Sequence, residues 1–494
     1  MDVSRRFFIG GAASFTALTG CRMFSGLASG GKPNLVFGVL SDIHVLAEDV
    51  DRNHQGNTRV LKHAFRWFRD QGADAVVIAG DMADAGLISQ LQAVGDAWEA
   101  VFPNDTAPDG RHVEKVFVYG NHDYEGFNYG YMIYGQPSGE LRREFLRNIG
   151  LKKAWEEVFH EEYSPIYRKT VKGYDFIGGH WDPANGSRWG GGPDLEAWMK
   201  ANGKSLDPKL PFFYAQHPHP KDTCYGPWAW GHDAGNTTRA LTPFANAVAF
   251  SGHSHYTLLD ERGFWQGAFT SVGTSSLRYN GQPYDEFAGT TGYENSGTRV
   301  FKPVMLANGQ DASEAREGML WRVYDDHAEV VRRNFNYDEN LGPDWIMPLP
   351  AAESKPFAFE GRAAKAVAPE FAADAKAAVK KAEAKKTETK DGKKTETKIP
   401  YFDVTFPAAL CTATTRVLNY KVDAETRDGK VVLSKRVLAD DFYMPLSRVG
   451  RKGRVGFAFS ELPQGQEVRF VVRPGECFGK LGKPLATEWV KVGA

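Results

Sequence analysis

The sequence has few cysteines, almost no net charge and no long apolar run beyond its N-terminus. Four cysteines in 494 residues are too few for a disulfide framework. A formal net charge of -1 argues against a broad nucleic-acid-binding surface, so no nucleic-acid partner is expected. No segment after the N-terminus is predicted to cross a bilayer. With 42% hydrophobic and 13% aromatic residues, the chain can instead fill the cores of two domains.

The N-terminus has the pattern of an export signal. Arg5 and Arg6 precede a short apolar stretch rich in Gly and Ala, which is similar to a twin-arginine signal. Leu18-Thr19-Gly20-Cys21 resembles a bacterial lipobox, in which Cys21 would be lipidated. We therefore predict a signal over residues 1–21, a tether over 22–33, and a protein anchored by lipid at the periplasmic face of a membrane or at the cell surface. The alternative is an ordinary tail with a chance Arg pair and a chance Cys.

Five predicted strands are each followed by Asp, Asn or His. The apolar run 75–79 reads as a strand buried on both faces, and Asp81 and Asp84 follow it. Open α/β sheets bind ligands at the carboxyl ends of their strands. The same pattern recurs after the apolar runs 35–40, 116–119, 212–215 and 248–250, and it predicts one metal site assembled from five loops.

The residue types in these loops indicate which metal they suit. Carboxylate oxygens bind hard ions and imidazole nitrogens bind borderline ions, so a mixed set of Asp, His and Asn suits Fe, Mn or Zn better than Ca or Mg alone. One carboxylate can bridge two ions about 3.5–4 Å apart, and a hydroxide held between them can attack phosphorus. A nearby imidazole can then protonate the leaving oxygen.

Residues 34–335 resemble the calcineurin-like metallophosphoesterase family. The resemblance implies an α/β fold, a layered metallophosphoesterase β-sandwich flanked by helices, with two metal ions. The motifs that carry it are Asp42-Ile43-His44, Gly80-Asp81-Met82-Ala83-Asp84, Gly120-Asn121-His122-Asp123, His217 and Gly252-His253-Ser254-His255.

The same resemblance implies a role for each motif residue. His122 would protonate the leaving group, and Asp84 would orient or charge its imidazole. Purple acid phosphatases carry a tyrosine ligand at the position of Asp84, so no tyrosinate-to-iron colour is expected here. One ion would be held by Asp42, His44, Asp81 and His255, and the other by Asp81, Asn121, His217 and His253.

Each of these residues also has a purely structural explanation, as a helix cap, a turn residue, a surface histidine or a chance pair. Asp42 and Asp84 could be helix caps, and Asn121 could be a turn residue. His217 could be a surface histidine, and His253 and His255 could be a chance pair. We expect structural roles for Asp123, His180 and His219. The aromatic loops 124–134, 181–189 and 219–230 either form a wall that stacks on a sugar or base, with Arg188 or Lys221 steering phosphate, or are packed for support.

The remaining pattern of the first domain, residues 34–350, is that of a layered α/β protein. A helix is predicted from an N-cap at Thr58 to a stop at Gly72. Further helices are predicted over 87–102 and 141–158, strands over 174–179 and 264–273, and a connector over 337–350.

Residues 351–494 are predicted to form a small all-β sandwich that resembles a fibronectin type III module. Its likeness to that module rests on residues 460–472, and residues 369–371 would supply its first strand. The lysine-rich run 376–398 has no aromatic residue and is predicted to be disordered or a fraying helix, which could touch anionic lipid. Cys411 and Cys477 could pair after export. Strands are predicted at 417–422, 430–433, 455–459 and 467–472, with a turn at 427–430.

These patterns predict an exported phosphoesterase that hydrolyses phosphomonoesters or phosphodiesters. Its substrate would be a small phosphate ester such as a nucleotide, a sugar phosphate or a lipid head group. Two alternatives remain open at this point: a non-catalytic surface protein that keeps the metal-binding scaffold, and a single-metal hydrolase of another ester. The sequence does not distinguish monoesterase from diesterase, identify the native ions or give the oligomeric state.

Overall fold

A computed structural model describes the chain from residue 31 onward, in ten segments. The predicted signal, Cys21 and most of the tether lie outside the described residues, as do Arg188 and the predicted helical residues 141–150. Pro33–Ala494 form one compact unit. None of the described helices is long and apolar enough to cross a membrane. The described segments are 31–46, 56–124, 151–181, 194–226, 229–280, 315–390, 393–412, 414–439, 444–448 and 452–493.

The first two-thirds of the chain contains thirteen strands and five α-helices among the described residues. The strands are β1 Leu35–Leu40, β2 Ala75–Ala79, β3 Glu114–Val118, β4 Ile166–Val171, β5 Tyr174–Gly179, β6 Phe212–Ala215, β7 Ala247–Ser251, β8 Phe264–Gln266, β9 Thr270–Gly273, β10 Glu317–Val323, β11 His327–Asn334, β12 Glu339–Asn340 and β13 Trp345–Pro348. The helices are α1 Asn57–Asp70, α2 Ile88–Glu99, α3 Lys152–Phe159, α4 Leu195–Asn202 and α5 Asn236–Leu241.

These strands form two sheets that pack face to face. One sheet has the order β12-β11-β10-β1-β2-β3, with β13 also on β11, and the other has the order β4-β5-β6-β7-β9-β8. Phe37 of β1 meets Phe213 of β6 with ring centroids 4.7 Å apart, and Trp321 of β10 packs on Phe250 of β7 at 5.1 Å. Strands β1, β2 and β3 are parallel, and so are β5, β6, β7 and β9.

The helices cover the outer faces of the two sheets. Apolar residues of α1, α2 and α3 pack on one sheet, and those of α4 and α5 pack on the other. The result is a mixed α/β fold with a sheet-on-sheet core between helical layers. The predicted fold class is confirmed.

Helix α1 begins two residues earlier than predicted, at Asn57. Gly56 precedes it with a left-handed backbone at φ 68°, and Thr58 lies buried inside the first turn, so the prediction of Thr58 as N-cap is wrong. Gly72 ends the helix as predicted, with φ 79° and its N–H donated to the carbonyl of Arg69. The start of α1 is fixed to the neighbouring loop because Asn57 donates to the carbonyl of His44 at 2.9 Å.

The predicted connector over 337–350 is wrong, because it contains β12 and β13. Strand β13 pairs with β11 along its free edge, with Trp345 opposite Val330. Trp345 and Met347 point into the core while their neighbours are half-buried. A strand of four residues shows too little alternation of apolar and polar side chains to be recognised among the surrounding Pro and Gly residues.

In its described residues, the C-terminal part is all-β apart from one short α-helix and two 3₁₀ turns. Two sheets, β14-β15-β18 and β17-β16-β19 with β20 and β21, share one core that includes Phe402, Val422, Phe457 and Phe470. The predicted turn at 427–430 joins β16 to β17, with Gly429 at φ 82°. The elements are α6 Phe359–Lys365, β14 Ala378–Lys390, β15 Lys393–Phe406, β16 Asn419–Thr426, β17 Val431–Leu438, β18 Gly453–Ala458, β19 Glu467–Gly475, β20 Leu485–Ala486 and β21 Val490–Lys491.

Two predictions for this part are wrong. The described residues of the lysine-rich run are neither disordered nor helical: most of them lie in the hairpin of β14 and β15, where Lys385 meets Glu396 at 2.6 Å and Lys398 meets Glu383 at 3.0 Å. Residues 369–371 are not a strand. Cys411 and Cys477 are both thiols packed against the shared core, not joined in a disulfide. The likeness to a fibronectin type III module stays a prediction.

Candidate metal centre

The predicted metal ligands come from loops at the carboxyl ends of β1, β2, β3, β6 and β7. These loops are connected through their main chains. The N–H of Asp42 donates to the carbonyl of Gly80 at 3.0 Å, and the N–H of Gly252 donates to the carbonyl of His217 at 2.9 Å. Because the ends of two facing sheets meet here, five separate segments of the chain converge on one site.

The backbone at this site is strained. Non-glycine residues rarely adopt positive φ, and the cost is of the order of 1–3 kcal/mol each. Such conformations persist only where the surrounding structure imposes them, and they cluster at functional sites. Five of the predicted ligands have positive φ: Asp42 at 51°, His44 at 46°, Asp81 at 53°, His253 at 68° and His255 at 57°.

Glycines before two of the motifs leave room for the ligand side chains. A Cβ atom on Gly120 would overlap the carboxylate of Asp81, and one on Gly252 would overlap the carboxylate of Asp42. Glycine is therefore required at these two positions for a steric reason: the main chain passes close to a buried carboxylate.

The first cluster of candidate ligands consists of Asp42, His44, Asp81 and His255. Their ligand atoms all lie within 4.8 Å of one another, and all four residues are buried. Asp42 Oδ1 lies 2.8 Å from His255 Nε2, and Asp81 Oδ2 lies 3.6 Å from His44 Nε2. This is the set that the resemblance assigned to one ion.

The second cluster shares Asp81 with the first. Asp81 Oδ2 lies 3.0 Å from His217 Nε2, and His217 Nε2 lies 3.1 Å from His253 Nδ1. The Oδ1 atom of Asn121 is buried and has no hydrogen-bond partner among the described residues. A buried amide oxygen without a donor costs free energy unless another group, such as a cation, satisfies it.

The histidine rings are oriented as metal ligands usually are. His217 Nδ1 donates to the carbonyl of Ala79 at 2.8 Å, and His255 Nδ1 donates to the carbonyl of Tyr279 at 3.1 Å. Each bond leaves Nε2 free to face the cluster. His44 Nε2 and His255 Nε2 are only 3.2 Å apart, an approach that a cation between them would stabilise. The donor set therefore fits two borderline ions such as Fe, Mn or Zn.

Burial and charge act in opposite directions on these groups. Burial alone would lower the pKa of His217, but the charges of Asp81 and Asp42 raise it to about 9. Burial would likewise lower the pKa of His44, but hydrogen bonds to Asp42 and Asp84 raise it to about 9. Burial would raise the pKa of Asp81, but His217 and His44 hold it well below its usual range. Protons on the imidazoles thus balance the carboxylates, a task that metal cations can take over.

His122 lies at the edge of the first cluster. Its N–H donates to Asp81 Oδ1 at 2.8 Å, and its Nδ1 donates to the main-chain carbonyl of Asp84 at 2.6 Å. The carboxylate of Asp84 instead lies 3.3 Å from His44 Nδ1 and forms an ion pair with Arg278. The expected orienting contact from Asp84 to His122 therefore comes from its carbonyl oxygen, because the guanidinium of Arg278 binds the side chain.

Sequence reasoning missed Arg278 and Tyr279. Both follow β9, which is parallel to β7 and so ends at the same edge of the sheet. Ser276 Oγ donates to the carbonyl of Asp42 at 3.0 Å and holds this loop against the site. The end of β9, a further parallel strand, was the signal that could have revealed them.

Two polar residues near the ligands have structural partners. Asp123 accepts hydrogen bonds from the N–H groups of Met82, Ala83 and Gly120, and burial, with the charge of Asp81, raises its pKa to about 7. His219 lies between the hydroxyls of Ser251 and Ser254, 2.7 Å from each.

Two other predicted residues also have structural contacts. His180 Nδ1 accepts from the N–H of Tyr119 at 3.0 Å, which is a structural contact. Lys221 is exposed, and its main-chain N–H donates to Asp233.

Residues 35–257 match the family model described as calcineurin-like phosphoesterase. They form a calcineurin-like phosphoesterase domain. Members of this family carry a dinuclear metal centre, and the chain is accordingly a metal-dependent phosphoester hydrolase. The match ends at the phosphoesterase motif that holds His253 and His255.

Comparison with solved structures gives distant likenesses to three phosphoesterases. A dimetal phosphatase from Danio rerio is 12% identical, with 64% of this chain and 99% of that chain covered and a TM-score of 0.36. A predicted phosphoesterase from Streptococcus pneumoniae is 12% identical, with coverage of 64% and 97% and a TM-score of 0.26. A purple acid phosphatase from yellow lupin seeds is 12% identical, with coverage of 65% and 56% and a TM-score of 0.38. No curated protein matches the chain.

Proposed function

We propose that the protein is an exported, lipid-anchored phosphoesterase that hydrolyses small phosphomonoesters or phosphodiesters. The observation that carries the proposal is the position of Asp81. Its carboxylate belongs to both clusters of candidate ligands, and one of its oxygens accepts a hydrogen bond from the main-chain N–H of His122. A bridging carboxylate beside a half-buried imidazole is the arrangement that two-ion phosphoester hydrolysis requires.

Each ion position takes its own set of side chains in this proposal. Asp81 bridges the two positions. When bound, the two ions would neutralise charge on the phosphoryl oxygens and lower the pKa of a water that attacks phosphorus. Asp42, His44 and His255 complete the first position, and Asn121, His217 and His253 complete the second.

His122 delivers the proton to the leaving oxygen. Its Nδ1 is held by the carbonyl of Asp84, so its Nε2 is the atom available for proton transfer. Its ring centroid lies 4.5 Å from that of His44, which puts it beside the first ion position. Asp84 and Arg278 fix this side of the site by their ion pair.

The test is hydrolysis of an aryl phosphate by the Mn²⁺-loaded protein. Asp81→Asn and His122→Ala should each lower turnover by about two or more orders of magnitude, because general acid catalysis alone contributes about 10²–10⁴-fold. His122→Ala should keep its metal, measured by elemental analysis, whereas Asp81→Asn should lose it.

His63→Ala is the matched control. His63 is a solvent-exposed histidine paired with Asp338 at 2.7 Å, so its loss should leave turnover unchanged. Full activity of His122→Ala would contradict the assignment of the general acid. No hydrolysis of any phosphate ester by the metal-loaded wild type would favour the alternative, a non-catalytic surface protein.

Export and anchoring rest on the N-terminal pattern. Twin-arginine export carries folded proteins, which suits a chain that must take up metal before it leaves the cytoplasm. The wild type should fractionate with membranes and carry lipid on Cys21 by mass spectrometry, and Cys21→Ala should release the protein. Replacing Arg5 and Arg6 with lysine should block export. A wild-type protein found in the cytoplasm with residues 1–21 intact would rule this out.

A further inference from the structure

The two exposed aromatic side chains among the described residues both lie against proposed ligand histidines. Trp230 is 43% exposed and stacks on His253, with ring centroids 4.5 Å apart and 24° between the planes. Tyr279 is 39% exposed and packs on His255 at 4.5 Å and 49°. His253 and His255 are themselves buried.

The two rings stand beside different ion positions. Trp230 covers His253, which lies against His217 in the second cluster. Tyr279 covers His255 in the first cluster, and its ring is also 6.3 Å from that of His44. His122, which protonates the leaving group, lies beside His44, so Tyr279 is on the side of the leaving group. Trp230 is beside the second ion position, which is farther from His122.

Packing of the loop does not account for the exposure of Trp230. Tyr225, in the same loop, is 1% exposed and packs edge-on against Tyr256, which is 4% exposed. Tyr225 and Tyr256 are therefore buried aromatic residues that support the loop. An aromatic ring that supports a loop is covered by its neighbours, whereas Trp230 keeps much of its surface open above a polar site. Open aromatic faces of this kind bind flat rings by stacking.

We propose that the site accepts phosphodiesters whose two ester groups carry flat rings, with the leaving group against Tyr279 and the retained group against Trp230. This proposal rests on the proposed function. In the reaction, the oxygen of a water forms a bond to phosphorus and the bond from phosphorus to the leaving oxygen breaks. His122 gives its proton to that oxygen, and the proton that the water loses passes to solvent, from which His122 is protonated again. The products are an alcohol or phenol and a phosphomonoester whose ring remains against Trp230.

The first experiment compares bis(p-nitrophenyl) phosphate with p-nitrophenyl phosphate, using Mn²⁺-loaded protein. Trp230→Ala should lower kcat/KM for the diester about tenfold more than for the monoester, because only the diester has a retained ring to stack. Tyr279→Ala should lower both by a similar factor, because both substrates have a leaving ring. Trp230→Phe should restore most of the diester activity.

Trp489→Ala is the matched control. Trp489 lies in the C-terminal part between the guanidinium groups of Arg427 and Arg469, at 4.3 and 5.0 Å from its ring centroid. Its loss should leave the ratio of diester to monoester activity as in the wild type.

The second experiment measures binding without turnover. Diphenylphosphinate carries two rings on one phosphorus and cannot be hydrolysed at them, whereas dimethylphosphinate has none. By calorimetry, the wild type should bind the diphenyl compound at least about tenfold more tightly. The double variant Trp230→Ala, Tyr279→Ala should lose this preference.

The outcomes separate the two proposals. If the wild type hydrolyses neither ester, the proposed function is wrong. Suppose instead that the wild type is active. If Trp230→Ala then lowers kcat/KM for the diester and the monoester by the same factor, or lowers neither, this inference is wrong. It is also wrong if Trp230→Ala loses its metal by elemental analysis, because Trp230 would then support His253 and not the substrate.

Discussion

At the scale of single residues, the site depends on main-chain positions that only certain residues allow. Gly252 lies against the carboxylate of Asp42, and His253 follows it with its N–H 3.1 Å from the same carboxylate. A methyl group at position 252 must push this carboxylate away or move the loop. The geometry of the first ion position therefore depends on a residue that has no ligand atom.

We expect Gly252→Ala to lower metal content and turnover strongly, and to destabilise the protein by about 1–3 kcal/mol, as overpacking of a buried site does. Elemental analysis and thermal unfolding would measure both effects. Gly361→Ala is the matched control, because Gly361 lies in α6 with open space around its Cβ position. Normal metal content in Gly252→Ala would show that the loop adapts.

Removal of metal should make stability depend on pH between about 6.5 and 9. The pKa of His44 and of His217 is raised from 6.5 to about 9 in the folded protein. A histidine with a raised pKa stabilises the fold fully below pH 6.5, and this contribution is lost as the pH rises through 9. The Tm of metal-free protein should therefore fall over this range.

The Tm of metal-loaded protein should fall less over the same range, because cations replace the protons on the imidazoles. Thermal unfolding of both forms in matched buffers would check this. A metal-free Tm that rises from pH 6.5 to 9 would contradict the assigned pairing of His44 and His217 with Asp42 and Asp81.

At the scale of elements, the β14–β15 hairpin shows why composition misled. Its inner half, residues 401–406, pairs with β18 and fills the core with Phe402 and Val404. The outer half continues the same backbone pairing, which needs no apolar side chain, and charge pairs such as Lys385 with Glu396 support it. A lysine-rich stretch can thus be a strand when a neighbouring segment anchors its register.

We expect the outer half of this hairpin to be dispensable. Ala384 and Ile399 are opposite each other, so residues 385–398 can be replaced by an Asn-Gly turn. The Tm should change by only a few degrees, because residues 385–398 include no apolar side chain that could be buried. By comparison, Phe402→Ala should lower the free energy of unfolding by about 3–5 kcal/mol. Loss of folding in the shortened chain would show that the outer half is needed.

At the scale of the whole molecule, Glu261 connects the phosphoesterase domain to the C-terminal part. Its carboxylate binds Arg332 at 2.8 Å and also pairs with Arg362 in α6. Burial would raise the pKa of Glu261, but the charges of Arg332 and Arg362 hold it below its usual value. Arg332 is only 3% exposed and stacks on Trp345 at 4.1 Å. Removal of the carboxylate would leave a buried guanidinium without its anion.

We expect Glu261→Gln to destabilise the protein by about 3–5 kcal/mol, as loss of one partner of a buried ion pair does. Glu196→Gln is the matched control, because Glu196 and Arg239 form an exposed pair worth about 0–1 kcal/mol. Calorimetry would give both values. Equal, small losses would show that Glu261 does not couple the two parts.

The sequence alone determined the five strands that lead into the ligand loops, the loops that follow them and the residue types that those loops carry. These are local features, because a buried strand is recognisable from its apolar run and its last residues from their polarity. These features marked the candidate positions, and the family resemblance selected the seven proposed ligands among them. The structure places six of the seven in two adjoining clusters and leaves Asn121 with a buried oxygen that has no partner among the described residues.

Only the tertiary structure decided which atoms meet. His122 contacts the carbonyl of Asp84, while the carboxylate of Asp84 pairs with Arg278, which lies 194 residues further along the chain. Tyr279 and Trp230 likewise pack on histidines that are distant in the sequence, and strand β13 forms by pairing with β11. No local pattern encodes such contacts, because they form only when facing sheets and their loops pack against one another.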